Sequence, residues 1–325
     1  MNERSNANVN AVLVADRTLY AAVSDRIVAY SIADPIRPKL TCEAHTRGAP
    51  YLLARTNGAL FVMEVFHEGE ELSVFTHAGE TLTESVRIHV ADFVSGFPRD
   101  MRADGNDLIV ADIYRGLYTI DISNAEHPLL REGVMVPGLQ SVHHSGTMLF
   151  AGSDHGDVIS FTRSGDGWKP GVSLSVVEGC VESLAFENGT LCAAFGRYGS
   201  HGYTGFSGIA FLECDAASMR ERSRIELDRN AMGVHIKDGV AAVLLQEWGH
   251  EWYDTASGVR MYDIADPDTP LLLGTYERKA KFEHWNIAWP YAYVADRMFG
   301  VRIIDLSDPK SPREVAEVPV PGLSG

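Results

Sequence analysis

Two stretches concentrate side chains able to do chemistry: "GRYGSHGYTGFSG" at 196–208 and "QEWGHEWYDTASG" at 246–258. They hold Arg197, Tyr198, His201, Tyr203 and Phe206 in the first, and Glu247, Trp248, His250, Glu251, Trp252 and Tyr253 in the second. A neutral linker would be built from Ser, Asn and Lys. Large aromatics instead supply stacking walls at low entropic cost. Between such walls Arg197 could hold an anion, while Glu247 and His250 could exchange protons with a bound molecule. The string "HEWYD" differs from the zinc-protease pattern HExxH, because Asp254 replaces the second His and the flanking glycines oppose a helix.

Histidines elsewhere extend the set. "KFEHWNIAWP" at 281–290 brings His284 and Trp285, and "MGVHIKDG" and "LQSVHHSG" bring His235 and His144. Aligning these runs on the Gly or Pro that follows places His284, His235 and His144 on one alternating face, with Asp100, Arg102 and Glu187 in the same column. In the "LQSVHHSG" run His143 competes with His144 for that position. Two chemistries follow. In one, His284 and His235, with Glu247 and His250, act as general acids and bases without a metal. In the other, His284, His235, His144 and His250, with His201 and Glu247 nearby, ligate a divalent transition metal, which is the cofactor such donors would take. Substrate-binding candidates are Arg197, Tyr198, His201, Trp248, Trp252, Tyr253, Trp285 and Arg102.

These residues are positioned by a repeat. "GVRIIDLSDPKSP" from 300 nearly duplicates "GVRMYDIADPDTP" from 258, and weaker copies start at 26, 71, 116, 157 and 208, giving offsets of 45, 45, 41, 51, 50 and 42 residues. A second short apolar run precedes each copy, as in "NDLIVADI" and "YAYVADRM", with further strand candidates before and after. Runs rich in Val, Ile, Tyr, Phe and Ala and bounded by Gly, Asp, Asn or Pro read as strands and turns. Four strands in each of seven repeats predict an all-β fold, a seven-bladed β-propeller of four-stranded antiparallel blades. The two long offsets mark the two aromatic stretches as enlarged loops between the second and third strands of blades five and six. Asp-Pro-x-x-Pro, at Asp34–Pro38, Asp266–Pro270 and Asp308–Pro312, reads as a strand terminator: Asp bonds to nearby backbone, and proline fixes φ and removes a donor.

The stretches "YAYVADRMFGVRIIDLSDPKSP" and "LIVADIYRGLYTIDISNAEHP" resemble LVIVD repeats. The resemblance is strong in blades one, three, six and seven and weaker in two, four and five, where the Asp-Pro element is lost. It implies propeller blades and leaves the reaction open, since many members of the family are uncharacterised surface or scaffold proteins.

Composition bounds what remains. The 325 residues carry a formal charge of −16, with 28 Lys and Arg against 44 Asp and Glu, which argues against a nucleic-acid partner. Cys42, Cys180, Cys192 and Cys214 have no metal-type spacing and read as reduced thiols. The polar start "MNERSNANVN" has no apolar leader core, and no later window is long and apolar enough to span a membrane. The expectation is a cytoplasmic protein with a disordered tail at 1–8 and one domain at 9–325. Its expected function is lyase, isomerase or hydrolase chemistry on a small molecule at the propeller mouth near blades five to seven. The alternative is a non-catalytic scaffold that binds a protein or peptide on the same face.

Overall fold

The computed structural model describes residues 8–66, 69–89, 96–131, 133–165, 167–196, 198–199, 202–203, 206–215, 217–247 and 256–321. Seven four-stranded antiparallel sheets, each with its strands in chain order, make a seven-bladed β-propeller. Their first strands are Val9–Ala15, Ala49–Thr56, Pro98–Asp104, Leu139–Ser145, Cys180–Glu187, Asn230–Lys237 and His284–Ala288. A further two-stranded ribbon, Tyr198–Gly199 with Gly202–Tyr203, lies inside the enlarged loop of blade five.

The chain divides into two compact units. One comprises Met1–Phe93 and Ala280–Gly325 and holds blades one, two and seven; the other, Val94–Lys279, holds blades three to six. Within each unit, alternate residues of the middle strands leave the sheet on opposite faces and are almost all buried, so blades pack face to face. In the first unit Val9, Leu19 and Val28 of blade one meet Tyr293, Val301 and Ile303 of blade seven. Burial of each such side chain contributes about 1.5–3 kcal/mol. These two blades share no strand. They are joined by this apolar layer and by bonds such as that from the Tyr30 hydroxyl to the Pro319 carbonyl, 3.0 Å.

Antiparallel order fixes which segments meet. The start of each first strand and the connection between strands two and three lie at one end of a blade, called here the loop end. The connections between strands one and two and between three and four lie at the turn end. At the turn end the Asp-Pro-x-x-Pro element behaves as expected. Asp308 accepts from the Lys310 amide through its carboxylate (3.0 Å) and from the Ser311 amide through its carbonyl (3.0 Å), and Asp266 repeats the pattern toward Asp268 and Thr269. Asn124 does the same for Glu126 and His127 in blade three, where the proline after the acid is missing.

At the loop end a polar residue closes several second strands. Asp112 is fully buried and accepts the amides of Tyr114 and Arg115 at 2.7 and 2.9 Å. Asp296 holds the same place in blade seven and is bound by Arg302, 2.8 Å, whose guanidinium also reaches Glu314 and Glu317. Asp296 and Arg302 are 1% and 2% exposed, so removing the cation would strand a buried carboxylate. Arg302→Met should therefore cost about 3–5 kcal/mol in chemical denaturation, and adding Asp296→Asn should recover part of it. Equal stability of wild type and Arg302→Met would contradict this assignment.

Candidate functional site

The innermost strand of each blade has one edge with no strand beside it, and its backbone donors need other partners. Side chains from the preceding blade supply them at equivalent register. Asp100, Ser183 and His284 sit opposite Ala111, Ala194 and Ala295 of their own second strands. Each accepts an amide of the next blade's first strand: Asp100 that of Val142 (3.0 Å), Ser183 that of Val234 (3.2 Å) and His284 that of Val12 (3.3 Å). Two residues further along, His143 accepts from Phe186 (3.3 Å) and Asn286 from Val14 (3.1 Å). Further still, Glu187 accepts from Asp238 and Gly239.

This ladder gives several sequence-predicted residues a place. His284 spends its Nδ1 lone pair on Val12, which puts the imidazole proton on Nε2 and leaves no lone pair there for a metal. His143, not His144, occupies the register of Arg102 and His235: His143 faces Phe150, Arg102 faces Ile109 and His235 faces Ala242. The sequence alignment was therefore off by one residue in blade four. His144 lies near the turn end, 3.3 Å from Asp104 and edge-on to Trp168. Arg102 is tied to Asp100 on its own strand, 3.2 Å away. Trp285 is buried, 7% exposed. Glu247 clamps the base of the blade-six loop, accepting the Ala256 amide at 2.9 Å while its own amide donates to the Ala256 carbonyl at 2.8 Å. Arg197, His201, Trp248, His250, Trp252 and Tyr253 lie outside the described residues, and only the backbone of Tyr198 is described. Among the described residues no three His, Cys, Asp or Glu side chains are gathered as a metal site.

A second set of side chains, which sequence reasoning missed, gathers at the loop end of blades three to five. The first strands there each slip register once: between Pro98 and Asp100, Leu139 and Ser141, and Val181 and Ser183. The residue left over at each β-bulge is Arg99, Gln140 and Glu182. A bulge re-aims its side chain out of the alternation. Arg99 donates from Nε to the Gln140 side-chain oxygen at 2.7 Å, and its charge acts on Glu182 and on Cys180. Cys180 and Glu182 act on each other's titration at this spot. Gly196 makes room for this carboxylate: a Cβ at that position would stand 3.3 Å from Glu182 Oε1. Asn230, 3% exposed, approaches the same spot. Desolvation pushes the Glu182 carboxyl above the usual carboxylate range, opposed by neighbouring Cys180 and by the charge of Arg99.

Thiol chemistry is disfavoured throughout, because burial raises all four cysteines. Cys42 does approach a histidine, His77 Nε2 at 3.5 Å, whose Nδ1 meets the Tyr20 hydroxyl at 2.6 Å. Burial lowers His77 while raising Cys42, so the pair stays neutral and forms no thiolate–imidazolium.

The family model of the LVIVD repeat matches residues 95–136 and 290–319, which cover blade three and most of blade seven. No curated protein matches the chain. Among solved structures it is similar to a 6-phosphogluconolactonase candidate from Bacteroides fragilis, with TM-score 0.71, 12% identity, and coverage of 98% of this chain and 97% of that one. It is also similar to Sqt1 of Chaetomium thermophilum bound to the N-terminus of the ribosomal protein L10, with TM-score 0.62, 14% identity, and coverage of 91% and 84%. The computationally designed protein Ika8 matches with TM-score 0.62, 11% identity, and coverage of 93% and 97%. At these identities the likeness is one of fold.

His143 yields a pH test of the ladder. Desolvation, and next the charge of Arg102, pull it from 6.5 down to about 4. Between those values the unfolded chain binds the proton and the folded chain does not, so the contribution present above pH 6.5 is lost as pH falls toward 4. The effect is on the order of 3 kcal/mol as an upper bound. His143→Gln keeps an acceptor for Phe186 without titrating, so its urea midpoint should fall less than that of wild type between pH 7 and pH 4.5. Parallel falls would refute the neutral-acceptor role.

Proposed function

Because the chain is an LVIVD-repeat β-propeller, a fold that supports many chemistries, we propose its function from the side chains at one blade end: acid–base catalysis on a small anionic molecule, of lyase, isomerase or hydrolase type. The observation that carries this reading is the bulge cluster at the loop end of blades three to five. There a desolvated carboxyl, Glu182, lies in the field of a solvent-facing cation, Arg99. A carboxyl held above its ordinary range can donate a proton near neutral pH and take it back later in the cycle. Arg99 is the group that would hold the anion, with Gln140 fixing its guanidinium. The proton-transfer role proposed from the sequence for His284 and His235 moves to Glu182, since His284 already serves the backbone of blade one. The enlarged loops of blades five and six leave this same end of their blades, which supports their expected part in closing over the bound molecule.

One observation favours a second reading. Phe97, Tyr114, Met135 and Phe206 are 41–68% exposed and belong to loop-end segments of blades three to five. Such a set suits a peptide or protein partner docking where the small molecule would bind.

The readings separate experimentally. In a turnover screen of small carboxylate and phosphate esters, lactones and hydroxy acids, Glu182→Gln should lower kcat/KM for the active compound by 10²- to 10⁴-fold, and Arg99→Ala should raise KM. Undiminished turnover in both variants would sink the catalytic reading. Loss of a captured partner in Tyr114→Ser with Met135→Ser, with no turnover of any compound, would favour docking.

A further inference from the structure

The seam between blades one and two carries a group of side chains that neither the ladder nor the bulge cluster uses. Tyr20 in the second strand of blade one (Thr18–Val23) and Cys42 in the fourth (Lys39–His45) both pair across from Ala29 of the third. Cross-strand partners share a face, so only a methyl group stands between the two side chains. His77, in the third strand of blade two (Gly69–Ala78), fills that gap edge-on to Tyr20, with ring centroids 5.5 Å apart. Its strand ends in the Gly79–Glu80 turn, where Gly79 takes a φ of 61°. All of these residues belong to the unit of blades one, two and seven.

The imidazole is engaged at both nitrogens. Nδ1 meets the Tyr20 hydroxyl at 2.6 Å, while Nε2 stands 3.1 Å from the Gly79 carbonyl and 3.5 Å from Cys42 Sγ. Two ligands of one tetrahedral zinc-type ion, sulfur at 2.3 Å and nitrogen at 2.0–2.1 Å, lie about 3.5 Å from each other. A ligating imidazole also needs a partner on its other nitrogen, and the Tyr20 hydroxyl is that partner. Cys42 is half-buried whereas Cys180, Cys192 and Cys214 are buried, so among the four thiols this is the one an ion can reach. Glu80 is exposed on the turn and its charge acts on Cys42, which brings a carboxylate within range as a third ligand. Arg55, the nearby cation whose charge acts on His77, is paired with Asp16. The neutral state that denies Cys42 and His77 a thiolate–imidazolium suits a metal: the imidazole keeps a lone pair, and the thiol loses its proton only when the ion arrives.

We propose that Cys42 and His77 bind a thiophilic divalent cation of the zinc class, with the Glu80 carboxylate and water completing four-coordination. As the ion binds, the Cys42 S–H bond breaks, sulfur donates its electron pair to the metal, and the proton leaves to solvent. The imidazole holds one proton throughout, on Nδ1 facing Tyr20 when Nε2 is the ligand. The site shares no residue with the bulge cluster and is independent of the chemistry proposed there.

The test uses the full chain, reduced, without an affinity tag, and in excess Mg²⁺ so that the formal charge of −16 does not gather the probe elsewhere. Titration with Co²⁺ should raise a sulfur-to-cobalt charge-transfer band that saturates at a single ion per chain, and Zn²⁺ should remove it by displacement. Cys42→Ser should abolish the band. His77→Gln and Tyr20→Phe should each weaken Zn²⁺ at least tenfold. Glu80→Gln should weaken it at least threefold, and Arg99→Ala should leave it unaltered. Release of the thiol proton should raise Zn²⁺ affinity about tenfold per pH unit between pH 7 and pH 8. A missing band, a band that survives Cys42→Ser or fails to saturate, or an affinity indifferent to pH, to His77→Gln or to Glu80→Gln would overturn the proposal. If His77→Gln does not fold, Tyr20→Phe decides, and unchanged affinity in that variant overturns the site.

Discussion

A four-stranded antiparallel blade has two edges, and the inner one cannot be left to solvent chance. Its first strand offers amides that no neighbouring strand can take, at a place where blades must also approach closely. Here the amides are taken by side chains of the preceding blade at fixed register: Asp100 for Val142, Ser183 for Val234, His284 for Val12, and one step on, His143 for Phe186 and Asn286 for Val14. Each bond couples two blades as well as satisfying a donor, so packing of the sheet faces and the register of the inner strands reinforce each other. Residue types that suggest catalysis are thereby drawn into the scaffold. A histidine that must stay neutral to accept an amide is poorly suited to hold a proton or a metal with the same nitrogen.

This accounts for what the sequence could and could not tell. Apolar runs such as "NDLIVADI" and the period near 45 residues state the blades directly, because burial on both faces of a middle strand leaves a continuous hydrophobic signature. The Asp-Pro-x-x-Pro turns were legible for a similar reason: their chemistry is local, a carboxylate and a carbonyl two and three residues from their donors. The bulges were not legible. One extra residue in an inner strand changes no hydropathy pattern, yet it sends Arg99, Gln140 and Glu182 out of the alternation on which the alignment of histidines depended. The same slip explains why His144 looked equivalent to His235 when His143 is. The available signal was polar residues, Arg99, Gln140 and Glu182, recurring at the start of successive first strands beside buried Pro98, Leu139 and Val181.

Desolvation sets the chemical character of the groups that remain. It lifts the four thiols out of the nucleophilic range, lowers His143 and His77, and raises Glu182. In a chain of formal charge −16, cations available to a ligand are scarce, and most arginines of the blades are committed to carboxylates. Arg99 differs in being bound to a neutral amide, so its charge is not cancelled by its nearest partner.

Blades one and seven are each a single continuous stretch of chain, and they meet through side chains without exchanging a strand. The seam between blades one and seven is thus built like the seams between consecutive blades inside a unit, face against face with side-chain caps. A chain of this kind can be opened at another turn between blades, or gain or lose a repeat by duplication or deletion, without breaking any ladder of backbone bonds. The repeat is weaker in blades two, four and five, and it is blades four and five that supply two of the three bulge residues, Gln140 and Glu182.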